Sequence, residues 1–429
     1  MSDPEPDSPA LPGLFGVAGL PALPSAPVRR ARKAPGGPSA SAVQGAPRPV
    51  GGEGGAAAPP LGKRRSKVDA PPRQDCEPEG PEPADSGNRR SRRFWVQRQA
   101  ALILPEHKGL SGCLRKPQGS ATVSVVKGEG GAGFRGLQRC SSPWVCPCCG
   151  PRIAAKRTSD IEDAIRRHQE SHPEGVVMLT LTTQHHGRES LARVLDGLLA
   201  AVKRLRQSRQ WRTLKPMIEG TIRTLEVNAS AENGWHPHLH MLIFGRCTRW
   251  QLERALQPLR AAWLAALKAE GRRGGRAAFE VSTGPALARY LTKLASEAAG
   301  HTTKKARAHG GRTGWQLLED AVAGDCDAID LWRDYALTTR GKAWIVWSHG
   351  LRARLGMGAE ATDKEIAEAE AGGDTIATLM PEQWQAVVRA EMRGRLLDAA
   401  DADGEAGVWR VVREAMERPA DRRRRPPPL

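Results

Sequence analysis

The chain has 429 residues, 39% of them hydrophobic, with 46 glycines, 33 prolines and a formal net charge of +18. No run of about 18 apolar residues occurs, and no basic-then-apolar leader opens the chain, so neither a membrane span nor a secretory signal is expected, and a cytoplasmic location is. A surplus of positive charge this large points to a polyanion, because each neutralised phosphate releases condensed counterions.

Residues 1–93 are rich in proline, glycine, alanine and charge and lack apolar periodicity. They are expected to be a disordered tail, since such a composition cannot bury enough surface to offset its ordering entropy. Two basic clusters lie in it, at residues 63–67 and 89–93. Order is expected from Phe94. A helix is predicted over 152–172, followed by a buried strand over 176–182 and a helix over 190–205 with Leu191, Val194, Leu198 and Val202 at helical spacing. Strands over 221–227 and 236–244 flank a polar turn at 229–234, then come a helix over 249–268 and a short strand at 279–281. A helix over 285–299 carries Pro285 in its first turn. This order suits a mostly antiparallel α+β fold. From about 360 onward the chain reads as helical and charged, ending in four arginines and three prolines.

Five of the eight cysteines lie between residues 113 and 150. Cys146 and Cys149 form a C-x2-C pair, whose tight turn presents two thiolates to one tetrahedral ion. Cys140 and Cys113 complete a set of four for a structural zinc ion, with Cys148 either a spare or a substitute ligand. In a chain of this length such density argues for a metal rather than for disulfides. Arg152, Lys156 and Arg157 follow at once and would set a basic, DNA-contacting helix beside the metal.

Trp235 precedes His236-Pro237-His238-Leu239-His240, a pattern of alternating imidazoles. On a strand, alternate residues share a face, so His238 and His240 point together, a pairing that suits a divalent ion. Glu226, on the preceding strand, can supply the third ligand. His236 shares the alternation, and Pro237 is expected to bend it away. Two histidines and a carboxylate also describe a non-haem iron site, so the ligands alone leave the chemistry open.

The chain has only two tyrosines, Tyr290 and Tyr335. Tyr290 lies in Tyr-Leu-Thr-Lys, which on a helix sets Lys293 one turn along the same face. A phenol beside an ammonium fits attack on a phosphodiester, with the cation balancing developing charge.

These residues together resemble the HUH endonucleases, and within them the rolling-circle replication initiators of actinobacterial plasmids. Leu179-Thr180-Leu181-Thr182 is similar to the family's first motif, residues 236–240 to its metal motif, and Tyr290-Leu291-Thr292-Lys293 to its Tyr-x-x-Lys motif, in the family's order. The segments 136–149 and 339–351 are similar to that branch as well. The resemblance spans roughly residues 95–360 and implies an antiparallel sheet flanked by helices. It further implies a metal-dependent nick at a plasmid origin, a 5′-phosphotyrosyl link, a free 3′-OH primer, and Mg²⁺ or Mn²⁺ at the histidines. A host helicase and a polymerase are the implied partners. The expected division is a tail (1–93), a cysteine-rich zinc module with its helix (94–172), the endonuclease domain (173–358) and a helical C-terminal region (359–429). Relatives that carry a glutamate one helical turn before the tyrosine differ from this chain, which has Ala286 there; Glu280 lies too far along the chain to be assumed in its place.

Other readings remain. Conjugative relaxases usually carry their tyrosine before the metal motif, not after it. A two-tyrosine transposase would want its second tyrosine closer than Tyr335. A zinc-ribbon DNA-binding regulator would need no nucleophile, and a non-haem iron oxygenase fits neither the charge nor the cysteines.

Overall fold

The computed structural model describes residues 88–119, 122–187, 189–230, 233–284, 287, 289–290 and 311–418. All of them fall in one unit, Pro71–Leu429. Lys293, Ala286, the basic cluster at 63–67 and the terminal arginines lie outside the described residues, as does nearly all of the expected helix over 285–299.

The first half of the chain runs α1 (Arg89–Ile103), α2 (Lys108–Gly112), β1 (Val123–Gly128), β2 (Gly131–Arg135), α3 (Cys149–Ser171), β3 (Val176–Leu181), α4 (Leu191–Gln207), α5 (Arg209–Leu214). Next come β4 (Ile218–Ser230), β5 (Gly234–Gly245), α6 (Arg249–Ala269), β6 (Phe279–Ser282), β7 (Arg312–Thr313), α7 (Gly314–Val322) and α8 (Cys326–Thr339). The remainder is β8 (Ile345–Trp347), α9 (Leu351–Arg354), α10 (Asp363–Glu368), β9 (Asp374–Leu379), α11 (Pro381–Arg389) and α12 (Arg393–Glu417).

Six strands form the main sheet, in the order β6-β3-β5-β4-β7 with β8 also on β4, and every pair is antiparallel. The α+β expectation is met. Alternation fixes which residues face where. Leu179, Leu181, Leu225, Val227, Leu239 and Met241 point to the side covered by α4 and α6, and pack with Leu195, Leu198, Leu256 and Trp263. Burying each such side chain contributes about 1.5–3 kcal/mol, so a one-residue slip of β5 would expose the whole row and drive the histidines into the core.

The opposite face has two zones. At one end Met178, Ile222, Leu242 and Phe244 pack under Ile161 and Ile165 of α3. At the other end the same face carries Thr180, Thr224, Glu226, His238 and His240, by the pairings Thr180↔His240, Thr224↔His240 and Glu226↔His238. Pro237 does not bend β5 as expected: the strand runs unbroken through it. Leu181 is the last partner of β5 on β3, opposite Leu239, so β5 is locally an edge at Pro237, where a sheet tolerates proline.

A second, three-stranded sheet has the order β2-β1-β9, so the C-terminal region, expected to be helical, also supplies a strand to the cysteine module. α12 packs on α1, and Gly394 makes this approach possible: a Cβ there would sit 2.4 Å from the Ser91 backbone nitrogen. The start of the ordered chain also moves. The cluster at 89–93, expected in the tail, begins α1, capped by the Asn88 side chain. Arg90 pairs with Asp398 at 3.2 Å and Asp401 at 2.5 Å, and Arg92 pairs with Glu319. Acidic partners contributed by α7 and α12 give these arginines a structural role.

Candidate active site

The cysteine cluster closes as a tetrahedral site should. Cys113, Cys140, Cys146 and Cys149 bring their sulfurs within 4.8 Å of one another. Individual separations are 3.7 Å for Cys113–Cys146, 3.5 Å for Cys113–Cys149 and 3.9 Å for Cys140–Cys149. Thiolates held ~2.3 Å from one tetrahedral ion stand roughly 3.8 Å apart, so the set fits zinc. These distances also exclude disulfides among the four. Cys148 is buried but outside the set, a spare rather than a ligand. Cys326, at the start of α8 and outside the cluster, is disulfide-bonded.

Cys113, Cys146 and Cys149 depart from a cysteine's ordinary pKa in different directions. Hydrogen bonding from its neighbours, Cys113 foremost, pulls the Cys149 thiol down, whereas contact with Cys140 pushes Cys113 up and burial pushes Cys146 up. A packed set of thiols cannot ionise together without a cation to gather the charge, and a metal ion supplies one.

The histidine face is built differently. Rings succeed one another along the sheet: His185 to His236 at 4.6 Å, His236 to His238 at 4.2 Å, His238 to His240 at 5.9 Å, and His240 to Tyr290 at 4.6 Å, all between centroids. His240 Nε2 lies 3.3 Å from Glu226 Oε2. Two donors ~2.1 Å from one ion stand roughly 3.0–3.4 Å apart, so this pair fits a shared cation. Both are held from behind. Thr180 Oγ1 lies 3.1 Å from His240 Nδ1, and Asn228 Nδ2 donates to Glu226 Oε1 at 2.9 Å. Such supporting bonds fix ring orientation and keep a ligand's lone pair aimed.

His238 faces Glu226 in register, but the donor atoms of His238, His240 and Glu226 do not all fall within 4.8 Å of one another. His236 bonds to Thr182 Oγ1 at 3.1 Å; burial, then the neighbouring His185, push its pKa down, keeping it neutral and lone-pair bearing.

Tyr290 stands where the two zones of the face meet. Its ring packs in the apolar cluster with Leu287 and Ile222, and its hydroxyl hydrogen-bonds to Thr224 Oγ1. A small cavity of about 70 Å³ reaches it, walled by Glu226, Trp144, Trp315 and Tyr335 among others. Tyr335 is itself buried, edge-on to Trp144. On the other side of the histidines opens a cavity of about 830 Å³ lined by His185, His186, His236, His238 and Arg276 among others. Glu280 pairs with Thr180 and so shares this face, with β3 between it and the histidine strand, although distant in sequence.

His185 belongs to the ring series and was not singled out from the sequence; only its place just after the first motif could have flagged it. The basic helix behaves in part otherwise than expected. Arg157 is 7% exposed and gives its guanidinium to Glu360 and Asp363, and Arg152 bonds the carbonyls of Ile366 and Ala369. Lys156, paired with Asp160 at 2.6 Å, keeps half of its side chain in solvent. Trp235, which precedes the histidines, is buried in the core.

A family model described as replication protein matches residues 134–254. The match takes in three of the four clustered thiols, β3 and the histidine strand, and ends before Tyr290. The chain is also similar to a protein named Protein rep from Streptomyces lividans, with 25% identity over 386 residues covering 69% of this chain and 83% of that protein. No solved structure matches it. Both findings agree with the resemblance carried by the motifs. Among the described residues, no helix is long and apolar enough to cross a membrane.

Proposed function

We propose that this protein initiates rolling-circle replication of a bacterial plasmid by nicking one strand at the origin, with Tyr290 as nucleophile. The observation that carries the reading is the meeting of Tyr290 with the histidine face, its hydroxyl on Thr224 and its ring against His240. Similarity to a replication protein model and to Protein rep supports replication initiation as the setting.

The Tyr290 oxygen attacks phosphorus, a Tyr–O–P bond forms, and the bond from phosphorus to the 3′-oxygen breaks. The products are a 5′-phosphotyrosine and a 3′-OH that primes the host polymerase. Thr224 orients the phenol and accepts its hydrogen bond before attack. Glu226, His240 and His238 would hold Mg²⁺ or Mn²⁺, which would supply Lewis-acid polarisation of a non-bridging phosphate oxygen. His236 is an accessory donor on the same row. Lys293, three residues after Tyr290 in the sequence, would balance charge on the phosphate. The 830 Å³ cavity beside the histidines would take the strand, and the cysteine module, closed by zinc, would hold α3 in place. The catalytic part corresponds to residues 173–358, with a host helicase opening the duplex and the reaction taking place in the cytoplasm.

The test is nicking of supercoiled DNA carrying the gene's own flanking sequence, with Mn²⁺ or EDTA. Wild type should relax the DNA and form a covalent adduct only with metal, and Tyr290→Phe should form none. An adduct that survives Tyr290→Phe moves the nucleophile to Tyr335, as a two-tyrosine transposase would have it. Tight binding without cleavage under any metal favours the non-catalytic zinc-ribbon regulator.

A further inference from the structure

A second group of metal-type donors lies away from the thiols and the histidine face. His168 and His172, on the last turn of α3 and its cap, and Glu219, at the start of β4, bring one donor atom each within 4.8 Å of one another. We propose that these three side chains bind a divalent transition cation of the zinc class, which ties the C-terminal end of α3 to the catalytic sheet. This goes beyond the nicking reading and does not depend on it.

The hydrogen bonding favours a cation. His168 Nε2 lies 3.0 Å from the Gly245 carbonyl oxygen, which can only accept, so Nε2 carries the ring proton. In the neutral ring, Nδ1 is then a lone pair, and it lies 2.8 Å from Glu219 Oε2, another lone-pair atom. Two such atoms repel unless a positive charge sits with them. A ring N–H anchored on a backbone carbonyl, with the other nitrogen facing a carboxylate, is the arrangement that orients metal-binding histidines. His172 supplies the second imidazole, its ring stacked on that of His168 at 4.9 Å, and its Nδ1 is buried with no hydrogen-bond partner. The alternative source of positive charge, a proton making His168 an imidazolium, would give no role to the His172 donor that stands with the other two.

The surroundings fit a closed site. The His168 side chain has no exposed surface, the edge of Phe244 packs against it, and Glu219 is 15% exposed. Gly175 makes room: a Cβ there would lie 2.7 Å from His168 Nε2 and 2.4 Å from the Gly245 oxygen. Two imidazoles and a carboxylate leave a fourth tetrahedral position for water, and suit a borderline ion better than Mg²⁺. α3 begins at Cys149, one of the four clustered thiols, so a helix about 34 Å long would be fixed by a metal at each end.

The full-length protein, stripped with chelator and reloaded with Zn²⁺, is analysed for bound metal after gel filtration, and its Co²⁺ form for the thiolate-to-cobalt band of the cysteine cluster. His172→Ala should bind one equivalent fewer than wild type with the thiolate band unchanged, and His172→Cys should restore the equivalent. Glu219→Gln, nearly isosteric, provides the same comparison if the alanine variant does not fold. Equal stoichiometry in wild type and the folded variant overturns the proposal and leaves an imidazolium–carboxylate pair. Neither readout involves DNA cleavage, so its result stands apart from that of the nicking assay.

Discussion

The cysteine cluster and the histidine face are both donor sets built on adjacent elements, yet their geometries differ in kind. The four sulfurs have already converged, with Cys113–Cys146, Cys113–Cys149 and Cys140–Cys149 at 3.5–3.9 Å, and three of the four residues are buried. On the histidine face His240 and Glu226 stand at a shared-ligand distance, the three donors of His238, His240 and Glu226 do not all converge, and one cavity opens on the histidines and another on Glu226 and Tyr290. Closed donor sets hold a fold together, whereas a catalytic set keeps a position open for the reacting group. The contrast is the one expected if the first set is structural and the second catalytic, although both were read from equally plain spacing.

Mutations can break this contrast. Cys146→Ser should have the largest effect. It removes a fully buried ligand and with it much of the ~10 kcal/mol or more that a structural zinc ion contributes to folding. Loss of bound zinc and of a cooperative melt would be the result, and a variant that melts normally would place the cysteines outside the folding core. His240→Ala should leave the melt within a few degrees of wild type while nicking falls by about 10²-fold or more. Comparable losses of stability in both variants would erase the distinction. Thr180→Val, which removes only the support behind His240, should weaken Mn²⁺ activation by about 10- to 100-fold, read as a shift in the Mn²⁺ concentration for half-maximal nicking with the maximal rate nearly kept.

The smallest effects are expected on the basic helix. Arg157→Ala should cost about 1–3 kcal/mol of stability, because Glu360 and Asp363 lose their partner, with DNA affinity hardly changed. Lys156→Ala should do the reverse: stability intact and the slope of log K against log salt reduced by about one if it meets a phosphate. Chemical denaturation and binding titrations at several salt concentrations separate the two.

The sequence made local features legible and long-range ones obscure. Strands β3, β4 and β5 follow from runs of alternating or continuous apolar residues, and their observed limits lie within a few residues of those expected. The sharing of a face by His238 and His240 follows from strand periodicity alone. The pairing of β1 with β9 brings together residues about 250 positions apart and has no local signature. Arg157 reads as a DNA contact until α10 supplies Asp363. His168 and His172 carry a visible signal, two histidines four apart on a helix, but Glu219 joins them only through the antiparallel return of β4. Pro237 misleads for the same reason, since a bend was expected from the residue itself and what matters is that β3 has ended beside it.

The central claim is that Tyr290 forms the covalent bond to DNA on a face that also holds the metal. It is tested most directly by trapping the protein with a single-stranded origin oligonucleotide in Mn²⁺, digesting the adduct, and locating the nucleotide by mass spectrometry. The account predicts a 5′-phosphate on Tyr290, absent when EDTA replaces the metal. A nucleotide found on Tyr335, or cleavage with no protein-linked product, would contradict it.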